Sequence, residues 1–341
     1  MDDSLQDQEP YFIAEIGLNH NGDVRLAKQL IDVCINASCD AVKFQKREVS
    51  LMFPENMLSQ PFSRFPELGD TMREVRESLE LGKSEYRQLR EYCIGKIDFI
   101  VTPFDHPSVE FLDDLDLDAY KIASHSITDI PLLRAVSKRG RPVIASVGMS
   151  NSEEVSRLVT TFSDIDLTLL HCVSSYPTKT EDANLGVIKW LKQFGCRVGY
   201  SDHENGIMVA PVAVALGAKV IEKHVTLDKS MQGFDHAMSI EPYQIVKVVQ
   251  NIKSIDKAVK KVTTKKLMPM ELQVFDNRRG SIYAAKAIQK GQQLDESSMV
   301  IKAPLRGLTP RFTDLLIGAR ALYDIKEDEP ITFGLVDIRK H

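Results

Sequence analysis

The chain has 341 residues, enough for one large domain and a small one. With 43% apolar and 27% charged residues it has the makeup of a soluble protein with a core. Its 43 basic and 48 acidic side chains, a formal net charge of −5, offer no basic field to nucleic acid or to an anionic membrane.

No apolar run approaches the ~18 residues of a membrane span, and the acidic start Met1-Asp2-Asp3 is unlike a secretory signal or transit peptide. Five scattered cysteines without a CxxC pair read as reduced thiols, so a cytoplasmic location is expected. Eight short apolar runs then recur, at 12–17, 41–45, 99–104, 120–124, 143–146, 169–174, 198–203 and 220–224. Helix-length stretches separate them, at 24–37, 84–93, 107–113, 130–138 and 152–161, with Asp23, Ser84 and Ser152 where N-caps belong. This alternation predicts an α/β fold, a closed (β/α)8 TIM barrel, whose site is built at the carboxyl ends of the strands. Segment 48–81 is too long for a simple connection; its Pro54, Pro61, Pro66 and Gly69 predict an excursion over the barrel mouth.

A closing helix is predicted over 242–261. The domain plan is an N-terminal tail 1–10, a barrel 11–262, a linker 263–279 and a small β-rich domain 280–341. In that last domain 284–294 and 321–331 echo each other, each with an isoleucine, a charged turn and an aliphatic residue six positions on. A pseudo-symmetric β module is predicted, with a core too small for much stability alone.

Side chains two apart on a strand share a face. Ser201 therefore points with His203, Glu222 with His224, and Lys43 with Gln45. Facing inward, the two histidines meet at the barrel top, where neutral imidazole is a ligand for divalent metals. Two are fewer than a catalytic zinc site uses, so Mn2+ or Mg2+ completed by water and substrate oxygens is the better match. Lys43 and Lys121, with Thr102, Ser124, Ser146 and Ser201, offer cations and hydroxyls to a phosphate or carboxylate. The alternatives are internal pairing with Glu15 or Glu222, or a Schiff base on a barrel lysine. Glu15, at the end of the first strand, suits a general acid or base or an orienting role.

Several ordered blocks resemble the sialic acid synthase family: Glu15-Ile16-Gly17-Leu18-Asn19-His20-Asn21-Gly22-Asp23, Lys43-Phe44-Gln45, Thr102-Pro103-Phe104-Asp105 and Lys121-Ile122-Ala123-Ser124. The likeness continues through His171-Cys172-Val173-Ser174-Ser175-Tyr176-Pro177-Thr178, Ser201-Asp202-His203, Glu222-Lys223-His224 and Gly233-Phe234-Asp235-His236, and the tail resembles that family's antifreeze-like SAF domain (a β-clip). The resemblance implies condensation of phosphoenolpyruvate with N-acetylmannosamine or a related open-chain aldose. It implies phosphoenolpyruvate binding by Lys43, Thr102, Lys121, Ser124, Ser146, Ser174 and Ser201, with Ser174 where asparagine is common. Catalysis would fall to Glu15 and Glu222, sugar binding to Gln45, Tyr176 and Asp235, and the metal (Mn2+, with Mg2+ or Co2+ as alternatives) to His203 and His224.

The family's Lys-Arg-Pro-Gly stretch, whose arginine reaches the sugar's N-acyl group across a domain-swapped homodimer, reads here Lys302-Ala303-Pro304-Leu305-Arg306-Gly307, making Arg306 the candidate substitute. The rival acceptor is a diamino-dideoxy hexose, giving a legionaminic or pseudaminic acid. A more distant rival is a non-catalytic glycan-binding protein.

Overall fold

The computed structural model describes residues 9–259 and 264–339. The chain divides into two compact units, the first ending at Lys260 and the second beginning at Lys261. Most of the expected tail 1–10 and the expected boundary at 262–263 lie outside the described residues.

Eight strands make the first unit: β1 (Tyr11–Gly17), β2 (Ala41–Lys46), β3 (Asp98–Pro103), β4 (Ala119–Ile122), β5 (Val143–Ser146), β6 (Leu167–Cys172), β7 (Arg197–Asp202) and β8 (Val220–His224). They close in chain order into a barrel, every pair parallel, with β8 returning to β1. Their residues are buried on both faces, which is why they read as unbroken apolar runs rather than as alternation. Ile13, Ala41, Ile100, Ala119, Ile144, Leu170 and Val220 fill the interior, one from every strand but β7. On β7 the register places Gly199 between Leu170 and Val220. A Cβ there would fall 2.5 Å from Leu170 Cδ2 and 2.2 Å from the Val220 carbonyl oxygen, so the barrel closes at this level because residue 199 has no side chain.

The helices wrap this barrel much as their periodicity predicts. Val24–Asn36 is capped by Asp23, whose side chain accepts from Arg25 N. Two expected caps are displaced. The helix Ser152–Thr161 is capped by Asn151 in a capping box with Glu154, because the amide oxygen reaches both Glu153 N and Glu154 N. Helix Lys83–Cys93 starts one residue early, from Gly82. Excursion 48–81 is not irregular throughout: it contains the short helices Val49–Met52, Glu55–Leu58 and Met72–Ser78, the last held by a Thr71–Glu74 capping box. The helix Pro242–Ala258 closes the unit with Ile245, Val248, Val249 and Ile252 inward; the end expected at 261 lies outside the described residues.

In the second unit β9 (Ser281–Ala284) pairs antiparallel with β10 (Met299–Lys302), and β11 (Arg320–Ala321) with β12 (Val336–Asp337). The two echoing segments meet at their isoleucines, Ile288 and Ile325, whose backbones exchange two 2.8 Å hydrogen bonds. Their later aliphatics, Leu294 and Ile331, enter the same small core. The stretch expected as linker is not bare chain, since it carries the helix Leu272–Arg278.

Candidate active site

At the carboxyl ends of the strands lies a cavity of about 710 Å3. It brings together every barrel residue singled out from the sequence: Glu15, Lys43, Gln45, Thr102, Lys121, Ser124, Ser146, Ser174, Tyr176, Ser201, His203, Glu222, His224 and Asp235. Three of these, expected as the last residues of their strands, stand just past them: Ser124 opens the turn Ser124–Ser126 after β4, Ser174 follows β6, and His203 follows β7. Arg306 belongs to the second unit, where it is exposed and donates to the Leu305 carbonyl.

The floor is a buried lattice of charge. Lys43 Nζ lies 2.8 Å from Glu15 Oε2, 3.8 Å from Glu222 Oε1 and 3.2 Å from Thr102 Oγ1. Lys121 Nζ donates to Ser146 Oγ (2.7 Å) and to the Ile122 carbonyl (3.0 Å), with Glu222 Oε1 at 3.9 Å. Ser201 Oγ donates to the same Glu222 oxygen at 3.0 Å. Both internal pairing and an anion-binding role were open for the lysines, and the geometry makes these compatible: resident carboxylates hold ammonium groups that line an open cavity.

Burial works against every charge here, and the neighbours decide the outcome. Burial pushes the Glu222 carboxyl up, but Lys121, Lys43 and the Ser201 hydroxyl outweigh it and keep it below the usual range. For Lys43 burial is likewise outweighed, by Glu15 and Glu222, and its ammonium is strengthened. Lys121 goes the other way: burial, aided by Lys43, prevails over Glu222 and lowers it.

Ser124, Cys172 and Ser174 make a hydroxyl and thiol shelf beside the lysines. Ser124 Oγ lies 3.1 Å from Cys172 Sγ and accepts from Gly148 N at 3.0 Å. A Cβ on residue 148 would come within 3 Å of all three side chains, so the shelf depends on that glycine.

His203 and His224 stand across the cavity with ring centroids 5.6 Å apart, and Tyr176 packs on the first at 4.3 Å. Nδ1 of His203 donates to the Val173 carbonyl at 3.0 Å, which leaves Nε2 with its lone pair. Burial, reinforced by His224, pushes the His203 pKa down to about 3, so the ring is neutral near pH 7. His224 Nδ1 is buried, 3.9 Å from Asp235 Oδ2, and hydrogen-bonds to no described residue. Two imidazoles, His203 held neutral and His224 with an orphaned nitrogen, fit a divalent cation with most positions left to water and substrate. Among the described residues no group of three or more His, Cys, Asp or Glu gathers as a metal cage.

The alternating faces hold at these strand ends. Asp202 and Lys223, between the inward residues, turn outward and form a fully buried pair at 2.8 Å. Sequence reasoning missed Arg47, Arg76, Phe104 and His125, which also line the cavity. Arg47 follows β2, is buried, and pairs with Glu80 at 3.1 Å. Arg76 comes from the helix Met72–Ser78.

A cavity placed there, with its cations on strand ends, defines a barrel enzyme whose site is built for an anionic small molecule. The NeuB family model matches residues 30–264, and the SAF domain model residues 279–337. The chain is 35% identical to the N-acetylneuraminate-9-phosphate synthase of Homo sapiens, over 97% of this chain and 94% of that one. It is 36% identical to the N,N'-diacetyllegionaminic acid synthase of Campylobacter jejuni, over 94% and 98%. The crystal structure of an N-acetylneuraminic acid synthetase from Leptospira borgpetersenii, in complex with citrate, superposes with a TM-score of 0.70 at 36% identity, covering 78% of this chain and 90% of that one. The chain therefore belongs to the NeuB family, with a SAF domain after the barrel, and is an enzyme of the sialic acid synthase type. Among the described residues no helix is long and apolar enough to cross a membrane.

Proposed function

We propose that the chain condenses phosphoenolpyruvate with N-acetylmannosamine or a related open-chain aldose, releasing a nine-carbon 2-keto sugar acid and inorganic phosphate. The observation that carries this reading is the convergence, in one cavity, of two buried ammonium groups with hydroxyls and a facing histidine pair. Lys43 and Lys121, with Thr102, Ser124, Ser146, Ser174 and Ser201, hold the phosphate and carboxylate of the enol ester. Gln45, Tyr176 and Asp235 orient the acceptor.

Carbon 3 of phosphoenolpyruvate attacks the aldehyde carbon. A carbon–carbon bond forms, and the aldehyde oxygen takes up a proton to become a hydroxyl. Water adds to carbon 2, giving up a proton, and the tetrahedral centre collapses to the ketone as its bond to the phosphate oxygen breaks. Glu15, held by Lys43 and by Gln45 Nε2 at 2.5 Å, is placed to move those protons, with Glu222 as its partner across Lys43. Lys43 and Lys121 stabilise the departing phosphate. His203 and His224 would hold Mn2+, or Mg2+ or Co2+, which supplies Lewis-acid polarisation of the carbonyl when bound.

Mass spectrometry of products from phosphoenolpyruvate and a panel of six-carbon aldoses tests the reading. A nine-carbon keto acid from N-acetylmannosamine supports it, and one from a 4-amino-6-deoxy relative moves the acceptor to the diamino class. Borohydride trapping of pyruvate on Lys121 would overturn it in favour of a Schiff-base aldolase. A homodimer belongs to the same proposal and is read by sedimentation equilibrium.

A further inference from the structure

Four cationic side chains line the cavity, and three of them have a carboxylate within 4 Å: Lys43 has Glu15 and Glu222, Lys121 has Glu222, and Arg47 has Glu80. Arg76 has none among the described residues, and its guanidinium forms no hydrogen bond with them. Two carboxylates, Asp235 and then Glu80, act on it from beyond ion-pair distance, and Glu80 is already shared, at 2.8 Å by Lys46 and 3.1 Å by Arg47. Lys46, Arg47 and Arg76 thus have two carboxylates between them, Glu80 and Asp235, and neither pairs directly with Arg76.

The Arg76 guanidinium lies instead 3.8 Å from the centroid of the Phe234 ring. Phe234 is itself packed by Phe65 and Phe62, at 5.0 and 5.9 Å between centroids. Stacking on a ring fixes the plane of a guanidinium while leaving its in-plane N–H edges unspent. Its Nε is buried and without a partner. A half-buried cation with an orphaned donor costs stability unless something else satisfies it. Burial and the neighbouring Arg47 push its pKa down to about 10, a strain that a nearby anion relieves.

The position of Arg76 identifies which ligand it faces. It stands on the excursion helix rather than on a strand end, and its contact is Phe234, next to Asp235 in the loop after β8. The enol ester's charges are met on the floor by Lys43 and Lys121. Arg76 therefore faces the acceptor.

We propose that Arg76 is a specificity-determining residue that binds a phosphate monoester on the end of the acceptor aldose remote from its aldehyde. The inference rests on the synthase reading given above. A neutral acyl or hydroxyl group would satisfy one donor but leave the positive excess uncompensated, whereas a phosphate takes a bidentate pair and neutralises it.

The test measures kcat/KM for N-acetylmannosamine and for its 6-phosphate, at saturating phosphoenolpyruvate, in the full-length wild type, Arg76→Gln and Arg76→Lys. The wild type should prefer the 6-phosphate. Arg76→Gln should cut that preference about 10- to 100-fold, through KM, as expected for a lost charge-assisted pair, and Arg76→Lys should keep part of it. Because the readout is a ratio within one variant, a general loss of folded protein does not mimic it. A wild type that prefers the unphosphorylated sugar, or a ratio that Arg76→Gln leaves unchanged, overturns the assignment while the synthase reading stands. Failure of the wild type to condense any six-carbon aldose, phosphorylated or not, overturns both.

Discussion

Lys43→Met would take from Glu15, which is 1% exposed, the ammonium group 2.8 Å away. At an effective dielectric constant near 20 that contact is worth about 6 kcal/mol of Coulomb energy. The variant does not lose all of it, because a buried carboxylate without its cation takes up a proton instead. Holding an ordinary glutamate protonated at pH 7 costs about 3.7 kcal/mol, which caps the penalty and agrees with the ~3–5 kcal/mol typical of a broken buried pair. The Gln45 hydrogen bond to the other Glu15 oxygen persists, so the cap is an upper figure.

The sign with pH follows. The folded variant holds a proton that its unfolded chain has released, so its deficit grows as pH rises, from about 1 kcal/mol at pH 5 to the full value at pH 7. Urea unfolding at both pH values, in wild type, Lys43→Met and the double variant Lys43→Met/Glu15→Gln, is the assay. The double variant should regain stability at pH 7 and lose the pH dependence, yet fail to bind phosphoenolpyruvate. A single variant within about 1 kcal/mol of wild type at pH 7, or a double variant no more stable than the single, would refute the pairing argument.

His224→Ala should abolish turnover and Mn2+ binding while the far-ultraviolet circular dichroism stays unchanged; Mn2+ still bound, read by electron paramagnetic resonance, removes the metal assignment. Burial first, then Arg47, pushes the His20 pKa down to about 4. Its unfolded form protonates near 6.5, so stability falls as pH drops through that range, by about 1.4 kcal/mol at pH 5.5. Replacing His20 by Asn should flatten that part of the urea-midpoint profile, and an unaltered slope would reassign it. Gly22 has φ of 73°, and a Cβ there would lie 2.1 Å from the Ser78 carbonyl oxygen. Gly22→Ala should displace the helix Met72–Ser78, raising KM for the acceptor more than for phosphoenolpyruvate, and equal effects on both would count against this coupling.

The barrel and its floor were legible in the sequence because strand periodicity and ligand chemistry coincide there. Ser201 with His203 and Glu222 with His224 could be assigned to one shared face from their spacing alone, and the oppositely facing Asp202–Lys223 pair is the same rule seen from behind. The echo around Ile288 and Ile325 was legible for a similar reason, a pattern repeated at fixed spacing. Arg47 and Arg76 were not. Neither sits on a strand: one is a residue past the end of β2, the other on a short helix inside an excursion with no period to read. Their place in the cavity is set by Glu80 and Phe234, partners distant along the chain, and no local signal announces such contacts. The displaced caps have a local cause: asparagine and glycine compete well with the serine one or two places on.

Glu15 and Glu222 also determine how the resting enzyme meets stray solutes. With two carboxylates standing in for a visitor, the floor is electrically quiet, and a chloride or sulfate gains little by entering, since it must dislodge an acceptor as good as itself. Occupancy becomes favourable for a guest that brings several acceptors at once and engages both ammonium groups together. Selection against abundant small ions is thereby built into the pocket before the second reactant arrives.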